Sequence, residues 1–111
     1  AGKATLKLGL CNGFFWGCRN RRHEDLLLRY GDGHEDAERT LRYFARDGAV
    51  LRYQSICART RCHGNSGGLQ ASMTAEERRD TERRGLESLC HEFPLYVVPK
   101  EDTALGFKFR T

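Results

Sequence analysis

Residues 11–18, CNGFFWGC, set two cysteines around an Asn-Gly pair and three consecutive aromatic residues. Asn-Gly is the preferred centre of a two-residue type I′ turn, because both central positions need positive φ. The residues before it, ATLKLGLC (4–11), alternate, with Leu6, Leu8 and Leu10 on one side and Lys7, Gly9 and Cys11 on the other. A period of two predicts a half-buried strand, and FFWGC returns as its partner, giving an N-terminal β-hairpin. In that register Cys11 pairs with Phe14, Gly9 with Trp16 and Lys7 with Cys18. The two cysteines then stand roughly 13 Å apart at the rise of a strand. A disulfide needs Cα atoms within about 7 Å, and ligands of one zinc ion need similar closeness. Neither is expected between Cys11 and Cys18.

Outward from this hairpin, RRHEDLLLRYG (21–31) predicts a short helix ending at Gly31. GDGHEDAERTLRYFARDG (31–48) predicts a second, with Asp32 as N-cap, Glu35 three residues on, Leu41, Phe44 and Ala45 on one face, and Gly48 closing it. AVLRYQSIC (49–57) reads as a strand that carries Leu51, Tyr53, Ser55 and Cys57 on one face. A Gly- and Ser-rich loop follows over 58–73, long enough for a role in function. TAEERRDTERRGLESLCHEF (74–93) predicts a third helix, with Thr74 capping, Glu77 completing a capping box, and Leu86, Leu89, Cys90 and Phe93 along one face. PLYVV (94–98) and LGFKFR (105–110) predict a closing pair of strands. The expected fold class is α+β: a mostly antiparallel sheet made of the N-terminal hairpin, a central strand and a C-terminal hairpin, with three helices packed on one face. At 111 residues the chain fits a single domain, 1–111.

The net charge of +4 comes mainly from arginine, 15 Arg against 4 Lys. A guanidinium is a planar fork matched to phosphate and stacks on bases, so this balance points towards nucleic acid. No apolar run reaches membrane-spanning length. The first residues lack the pattern of a secretory signal, and an initial Ala is what removal of an initiator Met leaves, so a cytoplasmic protein is expected. The five cysteines then read as thiols, core residues or metal ligands rather than as a disulfide framework.

The nucleic-acid candidates cluster. Phe14 and Trp16 would stack on bases, while Arg19, Arg21 and Arg22 of RNRR (19–22) would hold phosphate. Arg79 and Arg83, one turn apart on the third helix, would extend the track with Arg59 and Arg61 of the loop. The plainer alternative makes the aromatic face a second buried layer or a dimer contact. It also leaves the helical arginines neutralised by Glu76, Glu77, Asp80 and Glu82. The candidate metal ligands for a structural zinc are Cys57, Cys62 and His63 of CARTRCH (57–63), with Cys18, His23 or His91 as a fourth; the plainer alternative is a buried Cys57 and an exposed loop thiol with no metal. A protein-interaction adaptor is the alternative function. A minor third reading is a metal-dependent hydrolase using His23 and His34 of the two HED triplets. Their spacing is not that of H-E-x-x-H, and acidic residues near helix starts are expected from the helix dipole, so a non-enzyme is expected.

In its small size, basic charge, Cys and His content and aromatics set between arginines, the chain resembles the accessory proteins of plant RNA viruses that suppress RNA silencing. Its length is similar to that of the first-frame proteins of sobemoviruses. The likeness is one of size, charge and residue types over the whole chain. The C-x-x-C pairs of some such proteins are missing from this sequence. The resemblance implies RNA or a host silencing protein as partner, and a homodimer.

Overall fold

A computed structural model of the chain describes residues 3–13, 15–31, 33–55, 74–101 and 106–110. Its elements are β1 (Ala4–Thr5), a 3₁₀ turn (Glu24–Leu26), α1 (Glu35–Asp47), β2 (Arg52–Tyr53), α2 (Ala75–Glu92), β3 (Val97–Pro99) and β4 (Phe107–Phe109).

Helix α2 starts where the Thr74 hydroxyl accepts the Glu77 amide at 3.1 Å, satisfying one of the orphan donors of the first turn. Leu89 and Phe93 are buried on its inner face, with Leu86 and Cys90 packed beside them. Helix α1 ends at Gly48, whose φ of 74° is the left-handed conformation that glycine adopts without a Cβ penalty. Its other end is unusual. His34 precedes the helix at φ 60°, with no side-chain cap, and its ring packs edge-on against Phe107 at 5.5 Å. The expected cap, Asp32, lies outside the described residues.

The core is one cluster of Leu8, Ala37, Leu41, Leu89, Phe93, Val97 and Phe107. The start of α1 reaches α2 through two glycines. A Cβ on Gly33 would stand 2.5 Å from the Thr81 carbonyl oxygen, and one on Gly85 would stand 2.7 Å from the Gly33 carbonyl oxygen. Backbone meets backbone there with no room for a side chain.

The expected sheet is overturned. β1 pairs antiparallel with β2, Ala4 opposite Tyr53 and Thr5 opposite Arg52. β3 pairs antiparallel with β4, from Val97 opposite Phe109 to Pro99 opposite Phe107. Among the described residues there are thus two separate two-stranded sheets and two α-helices, in place of a central strand flanked by hairpins and three helices. Among the described residues no N-terminal hairpin forms: the Cys11 amide donates to the Thr40 hydroxyl of α1 at 3.0 Å, not to a facing strand. The leucine alternation is not obeyed either: Leu8 is buried, but Leu6 is 62% exposed.

The helix expected over 21–31 shrinks to the 3₁₀ turn for a related reason. The amides of Arg29 and Tyr30, which a continuing helix would have turned back on its own carbonyls, donate to the Glu38 carboxylate at 2.6 and 3.1 Å. Of the three leucines only Leu26 is buried. Further on, Val50 is buried while Leu51 and Tyr53 are exposed, so the face expected to carry Leu51, Tyr53 and Ser55 looks outward. On α1, Ala45 is exposed. Among the described residues no helix is long and apolar enough to cross a membrane.

Candidate nucleic-acid interface

Helix α1 carries two polar stripes on adjacent faces, about 100° apart, and each has its own work. The inner stripe is Glu38 and Arg42, one turn apart and almost fully buried. Arg42 Nε donates to Glu38 at 2.8 Å, and its two terminal nitrogens donate to Glu92 of α2 at 2.7 and 3.0 Å. The Tyr30 hydroxyl donates to the same Glu92 carboxylate. Burial disfavours the charge on Arg42, but the hydrogen bonds with Glu92 and Glu38 outweigh it and hold its pKa above the ordinary value. The Arg42 fork keeps the Glu92 carboxyl below the usual range, against the opposing effect of burial. Burial, then the Glu92 contact, push the Tyr30 phenol up. This network clamps α1 to α2 and to the 29–30 backbone, which fixes where the outer stripe points.

The outer stripe is Arg39, Tyr43 and Asp47, at i, i+4 and i+8. Residues 16–21 run along it as a strap in the same direction, Trp16 on Arg39, Cys18 on Tyr43 and Arg21 on Asp47. Gly13 lies against Asp36, where a Cβ would meet that side chain at 3.5 Å. The Arg39 guanidinium sits over the Trp16 ring, 4.0 Å from its centroid. The Tyr43 hydroxyl donates to Cys18 Sγ at 3.5 Å. The Arg21 guanidinium lies 5.4 Å from the Tyr43 ring centroid and grips Asp47 with both terminal nitrogens, at 2.9 and 2.7 Å. Cation and ring thus alternate along the strap, each contact drawing on the negative face of an aromatic.

Between strap and helix lies a cleft of about 430 Å³, lined by Trp16, Cys18, Arg19, Arg21, Arg39 and Tyr43, with Cys11 and Thr40 also on its wall. The Arg21 fork holds the Asp47 carboxyl below its ordinary range. The Cys18 hydrogen bond, then burial, raise the Tyr43 phenol, with Arg21 and Arg39 opposing.

Of the residues expected to bind nucleic acid, Trp16, Arg19 and Arg21 meet in this cleft. Arg22 is exposed next to it in sequence. Arg79 and Arg83 lie on exposed α2, where Arg83 is paired with Asp80 at 2.6 Å and with Glu87 at 3.1 Å. Phe14, Arg59 and Arg61 lie outside the described residues. So do Cys57, Cys62 and His63 of the expected zinc site. A candidate fourth member, Cys18, is a free thiol in the cleft, as is Cys11. Among the described residues no three His, Cys, Asp or Glu side chains gather where an ion would bind. His34 is turned into packing against Phe107. Sequence reasoning missed Arg39, Tyr43 and Asp47. Their i, i+4, i+8 spacing is the signal, but nothing in the sequence says that residues 16–21 lie across it.

The chain was compared with protein-family models, curated proteins and solved structures. None matches.

Proposed function

We propose that the protein is an RNA-binding accessory module that takes unpaired bases on Trp16 and backbone phosphates on the arginines around it. The observation that carries this reading is the cleft itself, in which Trp16, Tyr43, Arg19, Arg21 and Arg39 share one concave surface. Trp16 is 47% exposed, so a ring face or edge is open to a base while Arg39 holds the indole in place. Aromatic platforms beside guanidinium groups suit single strands, because a duplex keeps its bases stacked and the deep, narrow major groove of A-form RNA keeps side chains from reading them. The proposed role as a suppressor of RNA silencing rests on the resemblance to plant-virus accessory proteins. It would act by sequestering RNA.

The test is binding to a short single-stranded RNA and to its duplex at about 50 and about 200 mM salt. The expected result is tighter binding of the single strand, falling steeply with salt. Trp16→Ala should weaken it roughly 5- to 150-fold, the span of one lost base–aromatic stack. No binding of either RNA at the lower salt would refute the proposal.

A second reading, a protein-interaction adaptor or homodimer, draws on one observation: Leu6, Leu51 and Tyr53 are each more than half exposed, and Leu51 also lines the cleft. Sedimentation separates the two. A dimer whose stability depends on Leu51 and Trp16, in a protein that ignores RNA, would favour the adaptor.

A further inference from the structure

Arg21 lines the cleft, yet its fork is already filled. Both terminal nitrogens bind the two oxygens of Asp47, and the third nitrogen, Nε, is buried with no hydrogen-bond partner among the described residues. A carboxylate held this way has the shape that an Arg–phosphate pair has: two parallel N–H···O bonds in one plane. Resting on the RNA-binding reading above, we infer that Arg21 is a phosphate subsite of the cleft, and that Asp47 occupies it in the free protein as an internal stand-in for a backbone phosphodiester.

Three observations carry this. The pair is partly exposed, with side chains 28% and 36% accessible, so solvent and a strand both reach it. Its cation faces the ring of Tyr43, a second aromatic in the same cleft as Trp16, so a phosphate on Arg21 would lie beside a base on either ring. Asp47 is the last residue of α1, where a negative charge opposes the helix dipole, so the carboxylate is not there to stabilise the helix. An incoming phosphodiester exchanges one anion for another at Arg21, with no bond made or broken. The exchange leaves Asp47 facing water, and the cost of displacing it lowers affinity. Asp47 therefore sets a threshold: a strand that offers only base contacts gains nothing from Arg21, while one that places a phosphate there does.

The experiment measures the salt dependence of single-stranded RNA binding for the unaltered protein, Asp47→Asn, Asp25→Asn and the double variant Asp47→Asn with Arg21→Gln. Asp25→Asn is the charge control, because it frees Arg46, whose pair with Asp25 lies outside the cleft. Asp47→Asn is expected to bind more tightly and to steepen the plot of log affinity against log salt by about 0.7, because in the unaltered protein the displaced Asp47 takes up a cation as the phosphate gives one up, whereas the variant's open fork neutralises the phosphate with no such offset. The double variant should return to the original slope, and Asp25→Asn should leave the slope where it was. A thermal melt of each variant verifies that it is folded. If Asp47→Asn leaves affinity and slope unchanged, or if Asp25→Asn matches it, the masked subsite is refuted while RNA binding stands. If the unaltered protein binds no RNA at low salt, the functional proposal fails first and takes this one with it.

Discussion

Arg42 is where the chain accepts the largest electrostatic risk. A buried arginine, only 3% exposed, is tolerated because Glu38 and Glu92 pair with its guanidinium. Removing one member of a buried pair leaves an uncompensated charge, which costs about 3–5 kcal/mol. Arg42→Ala should therefore lower the denaturation midpoint by an amount that is a large part of the stability of a domain of this size, about 5–15 kcal/mol. Replacing both Glu38 and Arg42 by apolar residues should not rescue it, because Glu38 also accepts the amides of Arg29 and Tyr30. Chemical denaturation of the single and double variants measures both effects. Glu92 adds a dependence on pH. Its folded pKa is depressed, so its contribution is fully present above the ordinary carboxylate value of about 4.3 and is lost as pH falls through the lower folded value. The melting temperature of the unaltered protein should thus fall more steeply below about pH 4 than that of Glu92→Gln, which has no such proton to take up.

At the scale of elements, the crossing of residue 33 over α2 decides how close the helices approach. Ala is about 1 kcal/mol better than Gly inside a helix, so Gly85→Ala would stabilise α2 if the helix stood alone. The Gly33 carbonyl, 2.7 Å from the position of the new Cβ, makes the opposite prediction. Gly85→Ala should lower the melting temperature, whereas an increase would mean that the backbone contact yields freely. The elements also show what was legible in the sequence. Helix α2 was, because its cap, its apolar face and its length all agree. The C-terminal strands were less so: β4 lies within the strand expected over 105–110, but β3 starts three residues later than expected and runs one residue past its expected end, to Pro99. The N-terminal hairpin was misread because Asn12-Gly13 and three alternating leucines form a strong local signal that tertiary contacts override. The Thr40 hydroxyl takes the Cys11 amide, and residues 52–53 take the place of the returning strand. A three-residue apolar run such as Leu26–Leu28 gives no period at all, and the turn there is set by a carboxylate, Glu38, from another element. On the site, Trp16, Arg19 and Arg21 were legible as rings next to cations. Arg39, Tyr43 and Asp47 became visible only once a strap lay across them.

Across the whole molecule, the two stripes of α1 divide the work. The buried stripe fixes the helix against α2 through Arg42 and Glu92, and the exposed one holds the strap through Arg39, Tyr43 and Asp47. A rigid wall and a side-chain-held strap make a cleft whose contacts are mostly ionic or cation–π, the interactions that anionic, aromatic ligands exchange most readily. The net charge of +4 adds a long-range attraction for such a ligand that salt screens. Trp16 is the sole tryptophan in the chain, and it stands in that cleft. Its intrinsic fluorescence, followed during titration with single-stranded RNA at low salt, therefore reports on the site and nowhere else. Saturable quenching that duplex RNA of the same sequence does not reproduce, and that added salt reverses, is the predicted result. An unchanged indole signal at RNA concentrations that saturate binding by another method would place the RNA elsewhere and contradict the account.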